Sequence, residues 1–308
     1  MQEGKPSTST WGLFGVAVVI GAGNFLAVSV SNRELDPFWG AGLRFTLAAL
    51  IFVTIALALR LKWPQGRLLG LTVVYGVVSF ALAYAFLYWA LLQVTPGLAA
   101  VVLAIVPLVA PILATVQGLE PLNRRAMVGA VIALAGILWI TIGDGNLALP
   151  LGGLVAMLLA SLTVGESVIL SKRVAENHPV MTNAVGMAVG APLLLALSLA
   201  FGETWAIPVR AEVILSVAYL VLLGSVGFFV LLLVVIRRWT VAATAYAFVL
   251  FPVVAMLLQA LLLDIPLTWR SITGALLVMT GVWFGALSRS TAAEHPRTGS
   301  PAARSSSA

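Results

Sequence analysis

The sequence predicts an all-α polytopic membrane protein with ten transmembrane helices in two inverted five-helix repeats. Three observations carry that expectation. The 308 residues are 61% hydrophobic and only 9% charged, whereas a soluble domain carries roughly 25% charged residues. Ten apolar stretches approach the length that crosses a bilayer. The second half repeats the first at a nearly constant shift.

Composition decides the solvent. A water-soluble chain of this size must keep a polar skin, and this one has too few charges to make it. Stretches near the roughly 20 residues that cross the hydrocarbon layer lie at 11–30, 39–59, 68–89, 97–117, 126–142, 151–171, 181–201, 213–236, 241–262 and 271–287. Inside lipid each stretch must satisfy its own backbone amides and carbonyls, which at this length means a helix. The first is too long for a signal-peptide core and lacks a small-residue cleavage site, so it counts as span one.

Orientation follows from the basic residues. With the N-terminus in the cytoplasm, the inside segments hold Lys5, Arg60, Lys62, Arg67, Arg124, Arg125, Lys172, Arg173, Arg237, Arg238, Arg289, Arg297 and Arg304. The outside loops hold only Arg33, Arg210 and Arg270, and Arg44 lies inside a span. Short cytoplasmic loops are rich in Lys and Arg, so both termini are expected inside a cytoplasmic (inner) membrane. Topology and anionic lipid headgroups thus account for the net charge of +6, and no nucleic-acid partner is expected. Residues 1–10 form a short cytoplasmic segment, and the Ser/Ala/Pro-rich 289–308 a disordered cytoplasmic tail. A monomer is expected.

The repeat is visible by self-comparison. A shift of 145 residues pairs Pro107 with Pro252, Pro121 with Pro266, Leu122 with Leu267, Arg125 with Arg270, Gly129 with Gly274 and Gly136 with Gly281. A shift of 140 pairs Gly12 with Gly152 and Arg33 with Arg173. The units are 11–145 and 146–288, five spans each. An odd-span unit inserts its second copy upside down, which creates a pseudo-two-fold axis in the membrane plane. Secondary transporters use that symmetry to open one central site to either side in turn; duplication that merely enlarges a scaffold is the alternative.

Several chemistries are excluded. There is no cysteine, hence no disulfide, thiolate metal site or thiol nucleophile. The two histidines, His178 in a loop and His295 in the tail, form no metal or relay cluster. No Gly-rich phosphate loop precedes a Lys-Ser/Thr pair, and no span carries a cluster of nucleophile, base or metal ligands. No cofactor, no metal and no enzymatic activity are expected.

The first half carries Leu87-Tyr88-Trp89-Ala90-Leu91, Ala99-Ala100, Pro107-Leu108 and Glu120-Pro121-Leu122 leading to Gly129 and Gly136; the second carries Ala242-Ala243, Pro252, Pro266-Leu267, Gly274 and Gly281. This series resembles the drug/metabolite transporter superfamily, in particular its ten-span EamA-type members, over residues 11–288. Asp264 departs from the pattern, lying one position from the partner of Glu120. The neutral span interiors and the aromatics of span three look most similar to YddG-type exporters of aromatic and other amino acids. The resemblance implies a central cavity lined by spans one to four and six to nine, with five and ten peripheral, and export of small amphipathic metabolites.

Candidate solute contacts follow from residue chemistry. Phe80, Tyr84 and Tyr88 recur every four residues, so one face of span three presents aromatic rings; such a face can enclose an amphipathic solute or simply pack. Asn24, after Gly21 and Gly23, needs a hydrogen-bonding partner, either a neighbouring helix or a solute. Glu166 and Arg44 are ionisable groups inside spans and therefore functional candidates. Glu166 suits a substrate ammonium or an exchanged proton. Arg44 suits a carboxylate at an outer mouth, or it snorkels to the headgroups. Their heights differ by roughly 15 Å at about 1.5 Å rise per residue, too far for a simple ion pair. Pro107, Pro111 and Pro252 free the carbonyls of Leu103, Pro107 and Phe248, for gating, solute contact or simple bending, and Thr244 and Tyr246 complete the second wall. The reading is a carrier of amino acids or similar amphipathic metabolites. A multidrug or cationic-compound exporter, a channel and a membrane-embedded enzyme are the rivals.

Overall fold

Each apolar stretch closes its own backbone hydrogen bonds because hydrocarbon offers none. The computed structural model describes residues 8–119, 124–142, 150–231 and 241–287, and among these it contains helices and no strand. In chain order the helices are α1 (Thr8–Ser31), α2 (Pro37–Ala58), α3 (Gly66–Ala90), α4 (Pro96–Val116), α5 (Arg124–Ile142), α6 (Leu151–Arg173), α7 (Pro179–Ala200), α8 (Ala211–Leu231) and α9 (Val241–Leu262). The last, α10, runs over Trp269–Val282 and continues as Trp283–Leu287. Helices α1 to α8 are each long and apolar enough to cross a membrane, and α9 and α10 complete the second set of five.

Helices α2, α4 and α7 start at Pro37, Pro96 and Pro179, one or two residues before the apolar stretches suggest. Proline has no N–H to leave orphaned and is pre-set for a first helical turn. The end of the eighth predicted span, 232–236, lies outside the described residues, as do Glu120 and the 289–308 tail.

The register of the repeat is sharper in space than in sequence. Gly66 and Ala211, Pro96 and Val241, and Arg124 and Trp269 open corresponding helices, and each pair is 145 residues apart. Helices α2 and α7 match at 142, so the shift of 140 read for the early part of the unit is corrected by two to three residues. Helices α3 and α8 also both widen into a π-helical turn, Val77–Leu82 and Leu222–Gly227, again 145 apart. Neither π turn leaves a signal in the apolar pattern.

The helix pairing obeys the same two-fold axis. α2 packs on α7, α4 on α9 and α5 on α10, while α1 lies against α8 and α9 as α6 lies against α3 and α4. The α5–α10 crossing gives the direction. A methyl group added at Gly129 would meet the Gly281 carbonyl at 2.5 Å, and one at Gly136 would meet the Gly274 carbonyl at 2.8 Å. Low-numbered glycine faces high-numbered glycine, so the helices are antiparallel and the second repeat is inverted relative to the first. Only glycine lets the two backbones approach this closely.

Helix α4 is broken between Leu103 and Val106. Pro107 cannot donate to Leu103, and the chain responds by tightening: Ala104 N bonds Val101 O at 3.2 Å and Ile105 N bonds Val102 O at 3.2 Å. Pro111 and Pro252 remain inside continuous helices.

Candidate solute-binding site

The halves enclose a cavity of about 540 Å³ on the two-fold axis. Its wall is built from related positions. Gly21, Asn24, Phe25 and Val28 of α1 line it at helical spacing, and so do Val164, Ser167, Val168 and Ser171 of α6, each 143 residues later. Ala83 and Tyr84 of α3 answer Phe228 and Phe229 of α8, and Leu103 answers Phe248, all at 145. Neither α5 nor α10 contributes. The wall is chiefly apolar and aromatic, with amide and hydroxyl groups from Asn24, Ser79, Ser167, Thr182 and Asn183.

One formal charge lies among the described lining residues, Arg44 of α2. It is 1% exposed and makes no ion pair among the described residues. Its Nε donates to Ser225 Oγ at 3.0 Å and its Nη2 to the Gly224 carbonyl at 3.1 Å. The guanidinium carbon lies 5.1 Å from the ring centres of both Phe45 and Tyr84. Nη1 has no partner. Neutral acceptors and ring faces soften the desolvation of a cation but do not replace a counter-ion, and an uncompensated buried charge costs several kcal/mol, of order 3–5. Asn24 shares the same acceptor, donating from Nδ2 to the Gly224 carbonyl at 3.4 Å, and its Oδ1 is unpartnered. The arginine and asparagine thus converge on the π turn of α8 with one free donor and one free acceptor.

The two ends of the cavity differ. Its wall runs to Ser171, Val174, Ala175, Asn177 and Pro179, at the end of α6 that carries Lys172 and Arg173. The opposite end is closed where the α1–α2 and α7–α8 loops exchange caps. Glu203 accepts from Phe38 N at 3.1 Å and Trp39 N at 2.7 Å, capping α2. Asp36 accepts from Thr204 N at 2.7 Å, and Glu34 accepts from Val209 N and Arg210 N. Trp39 stacks on Trp205 with ring centres 4.7 Å apart. Helix α7, the symmetry mate of α2, is instead capped from its own loop by His178.

Several residues singled out in the sequence line this cavity and others do not. Asn24, Tyr84, Arg44 and Phe248 line it, and so does Leu103, whose carbonyl Pro107 leaves free. Arg44 is 1% exposed, turned toward α8 and the cavity rather than extended to the surface. Phe80 and Tyr88 continue the aromatic ladder from Tyr84, with ring centres 6.4 and 6.5 Å away, but both are fully buried and outside the wall. Phe80 packs on Tyr75, Phe45 and Phe229. Glu166 also lies outside the wall. Its carboxylate accepts from Gln117 Nε2 at 2.5 Å, and Gln117 accepts from Arg173, so it is held against the end of α4 and forms no pair with Arg44. Pro107, Pro111 and Pro252 shape the helices without lining the space. The side chains of Thr244 and Tyr246 lie outside what is described. No group of three or more metal-ligating side chains occurs among the described residues.

The model of the EamA-like transporter family matches twice, over residues 10–142 and 151–286, once for each structural half. The chain belongs to the EamA-like transporter family. Among curated relatives, the "Probable amino-acid metabolite efflux pump" of Salmonella typhimurium is 30% identical over 283 residues, covering 87% of this chain and 91% of that protein. The "Uncharacterized inner membrane transporter YedA" of Escherichia coli is 29% identical over 248 residues, 80% of each chain. The "Probable terminal-alkyne amino-acid exporter" of Streptantibioticus cattleyicolor is 27% identical over 293 residues, 88% of this chain and 91% of that one. A solved crystal structure superposes with a TM-score of 0.65 at 20% identity, covering 94% of this chain and 99% of the other, a likeness of fold.

Sequence reasoning overlooked most of the wall of this EamA-like transporter. Phe229 is the symmetry mate of Tyr84, and Ser167 that of Asn24. Carrying each candidate across the repeat by 145 or 143 residues would have found both.

Proposed function

We propose that this protein is a secondary carrier of the cytoplasmic membrane, with both termini inside, that exports small amphipathic metabolites by alternating access. Amino acids, aromatic ones included, are the favoured solutes. The observation that carries the reading is the cavity on the inverted-repeat axis, closed at one end by a buried guanidinium without a counter-ion. An amino acid complements it: the carboxylate answers Arg44, the ammonium answers the Asn24 Oδ1 and free carbonyls, and the side chain fills the wall of Tyr84, Phe228, Phe229, Phe248 and Phe251. The names of the relatives from Salmonella and Streptantibioticus agree with such a solute. Basic residues at the α6–α7 end support a cytoplasmic placement of that end, in which the cavity faces inward, as suits an exporter awaiting its load.

A lipophilic-cation exporter fits less well, because the one charge among the described wall residues is positive. Uptake into proteoliposomes of a labelled panel of amino acids and lipophilic cations tests the reading. Saturable movement of amino acids with stimulation by counter-solute is expected. Movement of cations alone would transfer the assignment to the multidrug class, and unsaturable flow would indicate a channel.

A further inference from the structure

The π turn of α8 is an unusual partner for a buried arginine. Leu222–Gly227 belongs to the second repeat and Arg44 to the first, so their two hydrogen bonds tie the halves together on the closed side of the cavity. Both acceptors are neutral. A guanidinium binds a carboxylate most strongly through two parallel N–H bonds from one edge, and the edge formed by Nε and Nη2 is the one now held by Ser225 Oγ and the Gly224 carbonyl. The remaining nitrogen, Nη1, is shut off from the cavity surface and unpartnered. A carboxylate can therefore engage Arg44 fully only if the π turn moves away from α2.

We propose that Arg44 is a solute-operated latch: it holds α2 against the π turn of α8 when the cavity is empty, and releases that turn by exchanging its two neutral acceptors for the solute carboxylate. The exchange is favourable because a carboxylate offers two parallel bonds to one edge and supplies the counter-ion that the buried guanidinium lacks among the described residues. The π turn is suited to the motion, since its i to i+5 pattern already leaves backbone groups off the α-helical ladder. At the symmetry-related position the wide turn of α3 meets Gly186 and Gly190 of α7, where Phe80 packs, so no charged side chain stands there in place of Arg44. Binding the correct head group and opening the far end then become one event. The proposal rests on the exporter reading for its solute and extends it to the coupling.

The chain has no native cysteine, so a single Ala41→Cys reports on that end: Ala41 is fully buried, lies three residues nearer the α1–α2 loop than Arg44, and does not line the cavity. Its labelling by an impermeant maleimide confined to the α1–α2 loop face is measured with L-phenylalanine, with phenethylamine, which lacks the carboxylate, and without solute. Phenylalanine should accelerate labelling and phenethylamine should not. Ser225→Ala should raise solute-free labelling by about tenfold or more, the effect of losing one hydrogen bond from a charged donor, and Arg44→Gln should abolish the response to phenylalanine. Equal responses to the two solutes, or a Ser225→Ala carrier that labels no faster than its parent, would overturn the latch. If phenylalanine is transported yet labelling ignores these changes, the latch fails and the exporter reading stands. If no amino acid is transported, that reading fails, and the solute-free Ser225→Ala comparison still decides the latch.

Discussion

Replacing Glu203 by Ala should open the closed end of the transporter's cavity. Helix α2 receives no cap bond from its own Asp36, which is engaged with Thr204. Its first amides are instead capped by Glu203 from the α7–α8 loop, at 3.1 Å to Phe38 N and 2.7 Å to Trp39 N. An N-cap of this kind contributes about 0.5–2 kcal/mol, and a carboxylate at a helix N-terminus adds about 0.3–1 kcal/mol from the helix dipole. Because these bonds join the two repeats, they stabilise the closed form and not the open one. Taking about 1–2 kcal/mol for the sum, the open population should rise roughly 5- to 30-fold. Labelling of Ala41→Cys from the α1–α2 loop face reads the shift directly. An unchanged labelling rate, with the melting temperature lowered, would mean that Glu203 only caps α2 and that the loop exchange is not a gate.

Other expectations follow from the same geometry. Arg44→Gln should raise the half-saturation concentration for amino acids by about 10- to 100-fold, the value of a charge-assisted bond, without weakening uptake of lipophilic cations; counterflow in proteoliposomes measures both. Glu166→Gln should leave amino-acid transport close to wild type across pH, since that carboxylate bonds Gln117 away from the cavity, and a large pH-dependent loss would place a proton step there. Gly281→Val should destabilise the protein by about 1–3 kcal/mol through overpacking, because its new Cβ would meet the Gly129 carbonyl at 2.6 Å; transport per folded molecule should persist, as α10 does not line the cavity.

The fold was legible because lipid enforces simple rules. Length and apolarity define spans without tertiary information, and an odd-span duplication dictates inversion. Paired prolines and glycines such as Pro107 with Pro252 and Gly129 with Gly274 mark the shift because their backbone roles tolerate few substitutes. The wall was less legible. Every face of a membrane helix is apolar, so Phe80 and Tyr84 look alike in sequence, and only packing separates the ring that fills a crossing from the ring that faces the space. Arg44 stood out as an intramembrane charge, yet its depth depends on a π turn that leaves no mark in the apolar pattern. The cap exchange by Glu203, Asp36 and Glu34 joins loops some 170 residues apart, a pairing beyond the reach of local sequence signals.

On the proposed mechanism, a pathway runs between the repeats, and its closed end must part for solute to leave. Asp36 and Thr204 are already in hydrogen-bond contact across that end, at 2.7 Å. In the naturally cysteine-free chain, Asp36→Cys with Thr204→Cys, joined by oxidation or a short bis-thiol reagent, should abolish amino-acid transport while leaving solute binding from the α6–α7 face intact, and reduction should restore it. A cross-linked carrier that transports at the rate of its reduced form would contradict the account.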